Sequence, residues 1–317
     1  MAFDAFFMGA VLQEIRQTLP CRVEKIHQPA RDTVILQMRG ESGRQKLLFS
    51  PNPAAPRLHL TTANPENPEQ PPMFCMLLRK HLSGAKLVEI SQMPMERMAS
   101  FTFDCIDEMG DPVQKRLVAE LMGRTCNLYL IDPDGRIIDC LRRIGLDESA
   151  KRAALPGLHY QLPEPMAKQD PTALLAEDYV NLLKKPGADL LADRLMDSLG
   201  GLSPLVCREA ALFAAGDTDA RVENLPLEET GEKLYLFFRE HLSHPAPYYY
   251  ATADGTPKQF AFCPIRQYGD YREAESFGAL LDMYYTVRDG QAAMRQKSQA
   301  VRKTVQNLCT RLTRKLA

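Results

Sequence analysis

The sequence predicts an α+β protein: a β-sandwich-like first part, a helical second part, and the start of a coiled coil. Three observations predict it. Between residues 20 and 141, short apolar stretches alternate with Gly- and Pro-marked turns, the pattern of antiparallel strands. After a proline-bearing stretch, Leu155 to Pro171, the apolar period becomes helical. Near the end, Met294, Ser298, Val301, Val305, Leu308 and Leu312 are spaced 4, 3, 4, 3 and 4, a heptad seam. The expected divisions are 1–170, 171–283 with an extended segment near 247–264, and 284–317.

The elements follow in order. Asp4 is a good N-cap, and Phe7, Val11, Leu12, Ile15 and Leu19 recur at helical spacing up to Pro20. Extended segments follow at 22–27, 33–39, 44–50 and 57–61, with Gly40-Glu41-Ser42-Gly43 as a hairpin loop. Pro71-Pro72 opens a short helix, PPMFCMLLRKH, with Arg79, Lys80 and His81 at its end and Gly84 as the stop. Its density of apolar residues predicts a helix buried nearly all round, with Met73, Met76, Leu77 and Lys80 on one face. Strands are expected at 86–91, 98–105, 115–122, 127–132 and 136–141. Helices are expected at 173–183, 190–199, 204–215 and 227–242, then from about Ser276 onward. The turn Leu199-Gly200-Gly201-Leu202-Ser203-Pro204 reads either as a packed helical hairpin or as a helix-hairpin-helix, whose amides at the next helix start can hold a phosphate.

Composition narrows the function. The 317 residues carry a net charge of −1, against a wholesale basic nucleic-acid binder. The charge is uneven: from Arg288 onward there are eight cations and one acid, so this segment is +7 and the remainder −8. A basic tail on an acidic body suggests an anionic partner. The eight cysteines form no CxxC pair and read as buried free thiols, with neither zinc nor disulfides. There is no signal-peptide pattern and no apolar run of membrane-spanning length, so a cytoplasmic protein is expected. The histidines lack ligand spacing, and no phosphate-binding or nucleophile-elbow motif is present. No catalytic residue, metal or cofactor is therefore expected.

Two polar spots stand out. Glu96-Arg97 precedes the strand near Met98. It reads as a charge pair at a strand end, or as a binding site if a loop turns both residues to one ligand. Arg offers bidentate hydrogen bonds to a phosphate or base edge, and the carboxylate accepts from base amino groups. The second spot is Glu120-Leu121-Met122-Gly123-Arg124-Thr125-Cys126-Asn127, a tight turn that is either a structural hairpin or part of the same surface.

PPMFCMLLRKH resembles the signature helix of the NFACT-N domain of the Rqc/NEMF (RqcH) family of ribosome quality-control factors, also called fibronectin-binding protein A in bacteria. Phe3-Asp4, Lys25-Ile26-His27-Gln28-Pro29, Lys46-Leu47-Leu48 and Asn67-Pro68 are similar to the family pattern in order and spacing. The turn Glu120 to Asn127 resembles the family's E-x-M-G-R-H-S-N, with Thr125 and Cys126 for its His and Ser. Gly201-Leu202-Ser203-Pro204 resembles its helix-hairpin-helix region, and the basic heptads its middle coiled coil.

The resemblance implies a fold related to the N-domain of formamidopyrimidine-DNA glycosylases. It implies binding to an obstructed large ribosomal subunit that carries peptidyl-tRNA. It further implies recruitment of tRNA, with alanine tRNA expected, for mRNA-independent tailing of the stalled chain. Peptide-bond formation would be ribosomal. The family's Asp-Arg motif falls on Glu96-Arg97, where Glu keeps the charge on a longer side chain. On this reading tRNA meets Glu96, Arg97, Glu120, Gly123, Arg124 and Asn127. The family's remaining coiled coil and NFACT-R domain are not represented in the sequence. Two alternatives are a fibronectin-binding adhesin and a DNA-glycosylase-like nucleic-acid binder. The latter lacks the N-terminal proline nucleophile and the four-cysteine zinc finger of those enzymes.

Overall fold

The computed structural model describes residues 2–123, 126–145 and 152–290, with single positions 298, 302, 305 and 306. Helix α1 (Ala5–Arg16) starts at Asp4, whose side chain accepts from the Phe7 amide, and it buries Phe7, Met8, Val11, Leu12 and Ile15. Nine strands then form one antiparallel sheet. In chain order they are β1 (Cys21–Ala30), β2 (Thr33–Gly40), β3 (Gly43–Ser50), β4 (Arg57–Leu60), β5 (Lys86–Gln92), β6 (Met98–Ile106), β7 (Pro112–Glu120), β8 (Asn127–Ile131) and β9 (Ile137–Cys140). The spatial order is β4-β3-β2-β1-β5-β6-β7-β8-β9.

The expected sandwich-like layering takes the form of a single continuous sheet. Its halves join at β1–β5, where only Cys21↔Leu87 and Arg22↔Lys86 are in register. So short a seam lets the sheet bend. Phe49 on β3 meets Phe101 on β6 edge-on, with ring centroids 4.9 Å apart. These strands are four places apart in the sheet, roughly 19 Å if it were flat. The sheet therefore curls and encloses its own apolar side chains.

Helix α2 (Met73–Leu82) corrects the sequence reading. It is buried on one face only, through Phe74, Cys75, Leu78 and Leu82, while Met73 is 76% and Met76 49% exposed. Its partner is β1: the Arg79 guanidinium and the Cys75 thiol both donate to the Ile26 carbonyl. A single covering layer leaves the Met73–Met76 side to solvent. Gly84, with φ of 79°, turns the chain out of the helix as expected.

Helices α3 (Ala176–Lys184), α4 (Leu191–Ser198), α5 (Pro204–Ala215) and α6 (Leu227–Ser243) follow where the helical period placed them. The segment near 247–264 supplies β10 (Tyr248–Ala251) and β11 (Pro257–Ala261) of a three-stranded sheet completed by β12 (Tyr271–Glu273). Phe260 seats this sheet between helices: its ring lies 4.8 Å from Phe7 and 4.8 Å from Tyr284.

A last helix, α7, is described over residues 277–290. Side chains from the first part of the chain hold it. Glu14 on α1 accepts from the Phe277 and Gly278 amides, capping the helix start. Gly278 is required there, because a Cβ would stand 2.5 Å from the Leu60 carbonyl oxygen. Asp282 accepts from His59 Nε2 at 2.9 Å, the Thr61 hydroxyl at 2.6 Å, and the Thr62 amide and hydroxyl. Arg57 donates to Asp289 at 2.7 Å and lies 4.0 Å over the Tyr285 ring. Of the predicted heptad seam, Met294, Val301, Leu308 and Leu312 lie outside the described residues, and with them the expected coiled coil. Seven cysteines are free and buried, and Cys309 lies outside the described residues.

Asp282 gives the first prediction. Burial opposes its charge, but the donors around it outweigh burial and hold its carboxyl below the usual range. A depressed folded pKa stabilises the protein above the unfolded pKa, about 4, and that stabilisation is lost as pH falls below it. Asp282→Asn should lower the unfolding free energy by about 2 kcal/mol at pH 7. Denaturant titrations at pH 7 and pH 3 should show the gap between wild type and variant shrinking at pH 3; an equal gap at both contradicts the assignment.

Candidate nucleic-acid interface

The two polar spots lie at one end of β5, β6 and β7. The β5–β6 connection, residues 93–97, is a tight loop in which Met95 adopts φ of 58°. This left-handed turn departs from strand alternation, so Glu96 and Arg97 both line one cleft. The cleft encloses about 340 Å³. Its other walls are the start of α1, Met122 from the β7–β8 turn, Met166 and Lys168, and the α4–α5 turn from Gly201 to Pro204. Met95, Met122, Met166 and Met196 supply an apolar, adaptable lining.

The loop is tied down on three sides. The Gln92 side-chain amide donates to the Glu96 carbonyl at 3.0 Å and to the Ala5 carbonyl at 2.8 Å. The Leu121 amide donates to the Arg97 carbonyl at 2.8 Å, joining the second polar spot to the first. The Arg97 guanidinium reaches the Phe3 carbonyl at 3.4 Å. Burial pushes the Glu96 carboxyl up, opposed by Arg97 and a hydrogen bond from the Met166 backbone. Burial also draws Arg97 down, countered by neighbours that include Asp4 and Glu96. The cleft therefore mixes signs: Asp4 and Glu96 against Arg97 and Lys168.

Beneath it, Asp4 joins two helix starts. One carboxylate oxygen accepts from the Phe7 amide at 2.9 Å, the other from the Ser203 amide at 3.0 Å. The Ala5 amide donates to the Gly201 carbonyl at 3.0 Å. Contact this close requires glycine: at Gly201, with φ of 78°, a Cβ would stand 2.8 Å from the Phe6 ring. This corrects the phosphate-loop reading of the α4–α5 turn. Its Ser203 amide is occupied by a carboxylate of the chain itself, and Val206 is capped by the Ser203 hydroxyl. A phosphate would have to displace Asp4.

The other expected site residues divide. Glu120 is 1% exposed and accepts from Arg152 at 2.6 Å and the Tyr160 hydroxyl at 2.5 Å. Asn127, fully buried, donates to the Arg142 carbonyl and accepts from the Arg142 and Leu128 amides. Both brace the turn from inside, so neither offers a free group to a ligand. Gly123 sits at the exposed tip with φ of 57°. Arg124 lies outside the described residues. Asp4, Met95, Met166 and Lys168 also border the cleft but escaped the sequence reading as site residues. Only Asp4 left a signal, its N-cap pattern, which says nothing of a partner 199 residues away.

Among the described residues no group of three or more His, Cys, Asp or Glu could hold a metal ion. The geometry suits recognition: a guanidinium and a carboxylate on a braced loop beside an adaptable apolar wall. Residues 4–317 match the family described as NFACT N-terminal and middle domains.

The chain belongs to the NFACT family.

Curated relatives agree with that assignment. The Rqc2 homolog RqcH of Bacillus subtilis is 32% identical over 309 residues, covering 97% of this chain and 53% of the relative. The human ribosome quality control complex subunit NEMF is 27% identical over 170 residues, 52% of this chain and 15% of the relative. The chain thus spans about half the length of its bacterial relative. Among solved structures, the N-terminal part of the fibronectin/fibrinogen-binding protein of Streptococcus suis aligns with a TM-score of 0.74. It is 28% identical, with 90% of this chain and 99% of that one covered. The fibrinogen binding protein of Staphylococcus aureus gives 0.73 at 26% identity, with 90% and 99% covered.

Asp4 should titrate in stability measurements. Burial raises its carboxyl to about 6, against hydrogen bonds from Phe7 and Ser203 that lower it. A raised folded pKa stabilises below the unfolded value of about 4, and that stabilisation is lost as pH rises toward 6. Relative to Asp4→Asn, the wild type should therefore lose about 2–3 kcal/mol between pH 4 and pH 7. Urea unfolding across this range reads the difference; parallel pH profiles contradict it.

Proposed function

We propose that this chain is the tRNA-recruiting part of a ribosome quality-control factor. The whole protein would bind an obstructed large ribosomal subunit that carries peptidyl-tRNA. It would bring in tRNA, alanine tRNA being the expected species, for mRNA-independent C-terminal tailing of the stalled chain. Peptide-bond formation would remain with the ribosome, and this chain would bind and orient. The observation that carries the reading is the braced loop: Arg97 and Glu96 line one cleft although they are neighbours in sequence. Arg97 would hold phosphate or a base edge, and Glu96 would accept from base amino groups. Membership in a family whose named relatives are ribosome quality-control proteins supports it. Glu120 and Asn127 would act by holding the turn, with Gly123 at its exposed tip.

A second reading has one support. The solved structures with this fold carry the names fibronectin/fibrinogen-binding and fibrinogen binding protein. Binding of an extracellular matrix protein would use an outer face and would not need Arg97.

Sequencing of RNA that co-purifies with the chain separates the two. The wild type should enrich tRNA, and Arg97→Ala should lose at least about tenfold of it, the scale of one desolvated bidentate contact. Glu96→Ala should weaken selection among tRNAs more than total RNA. RNA recovery that is equal in wild type and Arg97→Ala, alongside fibronectin binding in a pull-down, would replace this reading by the second.

A further inference from the structure

A second feature lies at the opposite end of the same strands. One register line crosses six strands. Arg44 on β3 faces Arg39 on β2, and Arg39 faces Arg22 on β1. Arg22 faces Lys86 on β5, Lys86 faces Asp104 on β6, and Asp104 faces Gln114 on β7. Residues directly opposite in antiparallel strands share a face, so Arg44, Arg39, Arg22 and Lys86 form an unbroken row of cations, all exposed. Like charges directly opposite one another destabilise a sheet.

The row is only partly compensated. Glu24 serves one end, 3.1 Å from Arg44 and 3.8 Å from Arg39. At the other end Asp104 accepts from the Gln114 amide at 3.0 Å. Arg22 and Lys86 have no carboxylate within 4.0 Å among the described residues. Beside them, the last turn of α2 contributes Lys80, paired with Glu108 at 2.7 Å, and His81. His81 Nδ1 accepts from the Lys115 ammonium at 3.1 Å, which places a further cation behind it; burial, then Lys115, draws the imidazole pKa down. Arg22, Arg39 and Lys86 line a cleft of about 920 Å³ whose lining includes no Phe or Tyr ring.

We propose that this row is a second nucleic-acid contact, a track for an RNA phosphodiester backbone. Neighbouring strands put the cations roughly 5 Å apart over about 14 Å, which suits successive phosphates better than one compact anion. The one aromatic ring of the lining, the His81 imidazole, is held by the Lys115 ammonium, so the cleft reads backbone and not bases. The repulsion built into the row is relieved when phosphates lie along it. From Lys86 here to Gln92 beside the Glu96–Arg97 loop, β5 spans roughly 20 Å, so one RNA could engage both ends. The choice of RNA over DNA rests on the tRNA reading; the polyanion track does not.

The test uses the 317-residue chain and a fluorescein-labelled mixed-sequence RNA duplex of about 20 base pairs, by anisotropy between 50 and 200 mM KCl. Arg22→Gln/Lys86→Gln should weaken binding about tenfold at the lower salt and flatten the log–log salt slope by about 1–2. Its melting temperature without RNA should stay level or rise. Lys86→Gln alone, which leaves the Arg22–Gly84 hydrogen bond intact, should show the same direction at about half the slope change. Affinity and slope unchanged in both variants would overturn the proposal. So would equally tight binding of poly-glutamate, which would assign the row to an acidic polypeptide, or displacement of the duplex by micromolar pyrophosphate, which would assign it to a small phosphate. Arg97→Gln separates the two readings: loss of tRNA selection there, with the duplex slope intact, concerns the other end alone.

Discussion

One carboxylate sets the geometry of the candidate site. Asp4 receives the Phe7 amide in the first turn of α1 and the Ser203 amide at the cap of α5, two helix starts far apart in sequence, on its two oxygens. Each helix start has unpaired amides and a partial positive charge, and one buried acid serves both. The consequence is spatial. With α1 held against the α4–α5 turn, Gly201 must be glycine, and Met95 fills the space beside it and Gly200. Gln92 then hangs the Glu96–Arg97 loop from the Ala5 carbonyl. Loosening Asp4 would part the start of α1 from the α4–α5 turn, two walls of the cleft.

Helix α1 works at both ends. Its Asp4 end organises the cleft, and its Glu14 end caps α7. Asp282 and Arg57 then lock α7 to β4, so the departing helix leaves in a direction set by the sheet edge. The apolar middle of α1 joins these jobs, with Phe7 touching Phe260 and Phe277. The candidate loop and the last helix thus share one rigid element, the coupling that the proposed bridging of tRNA and a ribosomal surface would need.

Local signals were the legible ones. The bounds of α5 follow from Ser203 as cap, Pro204 behind it and Gly216 after it. The strands followed from alternation and turn residues. Face and partnership were less legible. The apolar run of α2 suggested burial all round, but burial depends on how many layers cover a helix, and only the sheet, through β1, β6 and β9, covers this one. β12 is three residues, Tyr-Arg-Glu, and too short for periodicity to show. Glu120 and Asn127 looked like surface groups because they are polar and sit by a turn. Buried partners, Arg152, Tyr160 and Arg142, decide otherwise. The cation row was invisible for a related reason: its residues are scattered through the chain, and register alone aligns them.

The central claim is that the Asp4-held junction of the β5–β6 loop and the α4–α5 turn is a tRNA-contacting surface. Hydrogen–deuterium exchange of this chain with and without bound alanine tRNA tests it most directly. Slowed exchange is expected at the amides of residues 93–97 and 121–123, with the β10–β12 sheet unchanged. Protection confined to other surfaces, with the 93–97 loop exchanging as in the free chain, would contradict it.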